Sequence, residues 1–131
     1  MINICLSSGE ADISGTVGEL GEVALTLKGL VGSGEQLATI PAQPCDPSPY
    51  DLSLLELAFV RRPGPTSVSA DARRLTVAGS DQFLTRFASW FEFPQDARHG
   101  SHNHFEPLPD DPDYSPESLA LIVSVRQADA A

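Results

Sequence analysis

The apolar positions of this chain repeat one helical pattern sixty-four residues apart. Leu20, Val23, Ala24 and Leu27 stand at i, i+3, i+4 and i+7, and so do Leu84, Phe87, Ala88 and Phe91. That spacing puts four side chains on one face of an amphipathic helix. Each run follows the end of a strand and a glycine, Ile13-Ser14-Gly15 or Val77-Ala78-Gly79, and then a hydroxyl suited to an N-cap. Thr16 with Glu19 makes a capping box, so the first helix is predicted to start there and to run to about Lys28, with Gly29 as its stop. The second is predicted from Asp81 to about Phe91. Its aromatic residues, Phe83, Phe87 and Trp90 on one face with Phe91 and Phe93 beside them, read as a helix packed on a sheet.

Around the helices the pattern is that of short strands. Ile2–Leu6 and Ala11–Ile13 flank a Ser7-Ser8-Gly9 turn, and Thr66–Ala70 and Arg73–Val77 form a second hairpin. Leu37–Ile40, Leu54–Val60 and Leu119–Val125 are further strands. Ser101–Glu106 occupies in the second half the place of Leu37–Ala42 in the first. Identities at the single offset include Gly15/Gly79, Leu20/Leu84, Ala24/Ala88, Asp46/Asp110, Tyr50/Tyr114, Leu55/Leu119, Leu57/Leu121 and Arg62/Arg126. Self-similarity at a fixed period points to a repeated unit. The expectation is one domain spanning residues 1–131, made of two pseudo-repeats (1–62 and 65–126). Each is a ββαββ unit that would be only marginally stable alone. The expected fold class is α+β: a two-layer sandwich with one extended antiparallel sheet and both helices on the same side.

Composition narrows the function. Eighteen acidic residues against eight basic ones leave a net charge of −10, which disfavours binding to nucleic acid by phosphate neutralisation. An acidic surface attracts a basic partner over distance. The segment Met1–Leu6 lacks the basic and long apolar regions of a signal peptide, and no run of eighteen apolar residues occurs, so no membrane contact is expected. Cys5 and Cys45 are expected to be free thiols in a cytoplasmic protein.

One constellation has chemical character: His99-Gly100-Ser101-His102-Asn103-His104-Phe105-Glu106. On a strand, His102, His104 and Glu106 share a face because side chains alternate. Nitrogen and oxygen donors so placed could take zinc, with His99 as a fourth ligand. The plainer reading is a polar face on an edge strand, with Phe105 turned inward and no cofactor. No nucleophile elbow, phosphate-binding loop or dinucleotide fingerprint is present.

The order of these features resembles the immunity protein 32 family of bacterial polymorphic-toxin systems. The resemblance is carried by the strand and glycine turn at Ile13-Ser14-Gly15 or Val77-Ala78-Gly79 and by the helices of Leu20 and Leu84. It continues through His102-Asn103-His104-Phe105-Glu106 and ends at Glu117-Ser118-Leu119-Ala120-Leu121-Ile122. The second half matches more fully, and the first lacks the histidines. The resemblance implies a non-enzymatic role, neutralising a cognate protein toxin by direct binding. The expected contact surface is His102, His104, Glu106, Asp110, Asp111 and Asp113. Self-association as a homodimer is the other partnership considered. A metal-dependent protein using His99, His102, His104 and Glu106 is the alternative function.

Overall fold

Alternation along Glu10–Gly15 buries Ala11, Ile13 and Gly15 and turns Glu10, Asp12 and Ser14 outward. That is the signature of a sheet with one face on a core. The computed structural model describes residues 1–108 and 110–127. Strand β1 (Asn3–Ser7) pairs with β2 (Glu10–Gly15) through a turn in which Gly9 takes a φ of +86°. Thr16 and Glu19 close the expected capping box at the start of α1 (Val17–Ser33).

The helix does not stop at Gly29. It continues to Gly34, where φ reaches +81°. Leu30 lies on the same buried face as Leu20, Val23, Ala24 and Leu27. Burying that side chain contributes about 1.5–3 kcal/mol, more than the roughly 1 kcal/mol by which a helical glycine falls short of alanine.

The chain then forms β3 (Leu37–Pro41), β4 (Leu52–Leu54), β5 (Glu56–Arg61), β6 (Ser67–Asp71) and β7 (Arg74–Gly79). Next come α2 (Asp81–Phe87), a 3₁₀ turn (Ala88–Phe91), β8 (His102–Phe105) and β9 (Ala120–Val125). The apolar run Leu54–Val60, expected as one strand, is two. Leu54 pairs with Ile4, whereas Glu56 pairs with Pro41 and Arg74, so the chain changes sheets at Leu55.

The fold is an α+β sandwich, but its strands form two mixed sheets in place of one antiparallel sheet. One has the order β4-β1-β2-β9-β8 and the other β3-β5-β7-β6. Each half lends its last strand to the hairpin of the other: β9 lies parallel to β2, and β5 lies parallel to β7. The sixty-four-residue offset recurs in these pairings with the halves exchanged. Gly15↔Val125 in one sheet corresponds to Gly79↔Arg61 in the other. Arg126 donates its backbone N–H to the Gly15 carbonyl at 2.8 Å, and Arg62 does the same to Gly79 at 3.0 Å.

Helix α1 packs on α2 and on the 3₁₀ turn, and it also touches β2 and β3, one strand of each sheet. A single buried cluster draws on both halves, from Ile4, Ile13 and Leu27 to Leu75, Phe87 and Leu121. Among the described residues no helix is long and apolar enough to cross a membrane.

Candidate functional site

Strand β8 forms the outer edge of the five-stranded sheet, paired among the described residues on one side only. His102 faces Ser124 and His104 faces Ile122, both on the outer surface. Asn103 and Phe105 turn inward against Val123 and Leu121. The two imidazoles therefore share an exposed face, as alternation predicts.

The first half has Ala38 and Ile40 at the corresponding positions, and a difference in register accounts for this. In β3, Leu37 pairs with Val60; had the offset been kept, Ala38 would be its partner, as His102 is the partner of Ser124. A slip of one residue reverses every side chain of a strand. Ala38 and Ile40 consequently face the core, packed against it, while His102 and His104 face water.

The expected metal ligands are not assembled. His99 accepts a hydrogen bond at Nδ1 from the backbone of Gln127 at 3.2 Å, and His102 Nδ1 lies 3.1 Å from the Gly100 carbonyl oxygen. Glu106 follows the end of the strand, with Oε1 3.8 Å from His104 Nε2. Among the described residues no three His, Cys, Asp or Glu side chains converge so as to hold a metal ion.

Beyond Phe105 the chain enters the proline- and acid-rich loop, of which Pro109 lies outside the described residues. The loop returns to its own base. Tyr114 stacks on Phe105 with ring centroids 4.0 Å apart, and Phe87 meets both rings edge-on at 6.5 Å. Trp90 donates its indole N–H to the Tyr114 hydroxyl at 2.8 Å, and Asn103 donates to the Trp90 carbonyl at 2.9 Å. Thr66 donates its backbone N–H to Asp113 O at 2.9 Å, and Ser115 donates to Thr66 O at 2.8 Å. Burial and the nearby Asp111 and Asp113 carboxylates raise the Tyr114 phenol above its ordinary pKa, against the opposing Trp90 hydrogen bond.

Within the loop, Asp113 N–H donates to Asp111 Oδ1 at 2.9 Å, and Arg86 approaches Asp113 Oδ1 at 3.5 Å. Glu106 and Asp110 are exposed. Of the expected contact residues, His104 and Glu106 adjoin and Asp111 and Asp113 lie together in the loop beside Arg86, whereas His102 and His104 stand on the outer face of the sheet and His99 precedes the strand.

Sequence reasoning missed the outer face of the same sheet. Cys5 and Asp12 pair across β1 and β2, with Asp12 next to Ile122 and Ile122 next to His104. Asp12 accepts from Ser124 Oγ at 3.1 Å, and Glu10 accepts from the Tyr50 hydroxyl at 2.9 Å. Burial raises the Asp12 carboxyl pKa, helped by Glu10; the Ser124 hydrogen bond and His102 act the other way. The outward placement of Glu10, Asp12 and Ser14 was legible as period-two alternation, but nothing local said that β9 and β8 lie beside them.

A carboxyl whose pKa is raised by folding disfavours the native state once it ionises. Stability is therefore lost as pH rises from the ordinary carboxylate range through the folded value of Asp12. Asp12→Asn keeps an acceptor for Ser124 and removes the charge. It is expected to be more stable than the parent at neutral pH, with the advantage vanishing in acid, which urea denaturation at pH 3 and pH 7 will show.

A concavity of about 730 Å³ lies elsewhere, lined by Gly34, Gln36, Arg61, Arg62, Ser80 and Asp81. Both its cations are engaged: Arg61 grips Asp81 through two hydrogen bonds of 2.7 and 2.8 Å, and Arg62 donates to Ser67 Oγ at 2.8 Å.

No family model matches this chain. No curated protein is significantly similar to it in sequence either. The functional reading therefore stands on charge and geometry.

Proposed function

We propose that this chain is a non-enzymatic cytoplasmic binding protein that neutralises a basic protein partner, in the manner of an immunity protein occluding its toxin. The contact surface comprises the acidic segment 106–117 and the adjoining His102 and His104 on the edge strand. The observation that supports this reading is the anchoring of that segment. Between Glu106 and Glu117 stand five carboxylates and no lysine or arginine. Phe105 and Tyr114 clasp its base while Trp90 holds Tyr114 in place.

A segment already held in shape loses less conformational freedom when it binds, and that freedom is a principal cost of association. Clustered negative charge speeds encounter with a positive site and does so less as salt is added. The exposed imidazoles can donate or accept hydrogen bonds beside the carboxylates.

The test starts from the neighbouring gene, where this reading expects a toxin domain to be encoded, and co-expresses the two. The chain is expected to relieve growth arrest and to copurify with that domain. Replacing Asp110, Asp111 and Asp113 together by lysine is expected to slow association by about tenfold or more at low ionic strength, with a smaller effect in high salt. A melting curve establishes that the variant is folded. An association rate unchanged at low salt rejects this surface, and failure to copurify rejects the function.

A further inference from the structure

Residues 42–45 run beside the start of β1 in the same direction, forty positions later in the chain. Ile2 and Ala42 form a parallel bridge, and Gln43 donates its backbone N–H to Ile2 O at 2.9 Å. One step on, Gln43 Nε2 donates to Asn3 Oδ1 at 2.6 Å. Two residues further, Cys45 Sγ lies 3.9 Å from Cys5 Sγ. Cys45 also donates its backbone N–H to Ser53 Oγ at 3.2 Å, and Ser53 in β4 is the pairing partner of Cys5 itself. Later in the segment, Tyr50 reaches Glu10 and Asp51 N–H donates to Leu6 O at 3.0 Å. Contacts on both sides of Cys45 thus fix the register that brings the thiols together.

We propose that Cys5 and Cys45 are a site of reversible oxidation, closing to an intramolecular disulfide when a hydroperoxide is the oxidant. Both thiols are free and only partly buried. A disulfide needs the sulfurs about 2.05 Å apart, an approach that rotation about the two Cα–Cβ bonds and a small shift of the loop can supply.

In the first step one sulfur attacks a peroxide oxygen. The O–O bond breaks, one oxygen stays as the sulfenic acid, and the other leaves as water (or alcohol) with the thiol proton. In the second step the other sulfur attacks the sulfenyl sulfur, the S–O bond breaks, and its oxygen leaves as water. Two thiols and one hydroperoxide give one disulfide, one water, and a second water or the alcohol. The two electrons lost by sulfur enter the O–O bond.

The Cys5 thiol is pushed up to about 12 by burial, by Cys45, and by Asp12 and Asp46, and the thiolate is the nucleophilic form. The product fastens segment 42–51 to β1 covalently.

The experiment treats the reduced full chain with hydrogen peroxide and follows it by intact mass and peptide mapping. The expected result is loss of about 2 Da at a rate independent of protein concentration, a peptide linking Cys5 to Cys45, and recovery by dithiothreitol. A melting temperature raised by on the order of 5 °C accompanies it. With dimedone present, Cys5→Ser is expected to be labelled at Cys45 and Cys45→Ser at Cys5, because neither sulfenic acid then has a resolving thiol. Independent oxidation of each thiol to the sulfinic acid, or disulfides only between molecules, overturns the site.

Discussion

Phe87→Ala is expected to destabilise the protein by about 3–5 kcal/mol, the range for removing a fully buried aromatic side chain. Phe87 has no exposed surface and lies on the helical face predicted from its spacing with Leu84, Ala88 and Phe91. It contacts Phe91 at 5.8 Å between ring centroids and also both rings at the base of the acidic loop. The cavity left by alanine opens beneath Phe105 and Tyr114, so the damage extends to the surface proposed for partner binding. Urea denaturation measures the loss directly. Near-ultraviolet circular dichroism under native conditions reports whether the tyrosine–tryptophan pair loosens. A loss under about 1 kcal/mol contradicts the packing described.

The second large effect separates two glycines that look equivalent in sequence. Gly15 and Gly79 end corresponding strands, and a Cβ on either would meet an atom at 3.2 Å. At Gly79 that atom is Thr66 Cα, with the Thr66 nitrogen at 3.4 Å. The backbone of Thr66 is tied to Asp113 and Ser115 and cannot easily retreat. At Gly15 the nearest atom is Ile2 Cγ2, a side-chain methyl and not backbone.

Gly79→Ala is therefore expected to cost about 1–3 kcal/mol, as overpacking does. In Gly15→Ala the smaller repulsion is largely offset by the roughly 0.5–1 kcal/mol that alanine gains over glycine in a strand. Equal midpoints for the two variants in urea would show that the Thr66 contact is not the constraint.

Much of the local structure was legible because it depends on neighbours in sequence. The capping box at Thr16 and Glu19 and the buried helical faces are set by contacts a few residues apart, and the structure has them. That Phe105 faces opposite to the two histidines follows from alternation alone. The end of α1 was misjudged because Gly29 is permissive and not obligatory as a stop. The tertiary burial of Leu30 decided the matter. The run Leu54–Val60 was misjudged because a change of sheet at Leu55 leaves no mark in hydropathy.

The candidate site divides the same way. Carboxylates and imidazoles were readable as chemistry, but their support was not. Tyr114 grips the base of the loop from nine residues beyond Phe105, and Trp90 reaches it from another element.

What the sequence by itself determined is which side chains each element buries, because helical and strand periodicities are properties of a single segment. What the tertiary structure decided is which strands meet. Backbone N–H and C=O groups are alike at every residue, so the ladder does not distinguish the hairpin of one half from that of the other. The exchange of β5 and β9 between halves, and the one-residue slip that turns Ala38 and Ile40 inward but His102 and His104 outward, arise only when both sheets close over one core.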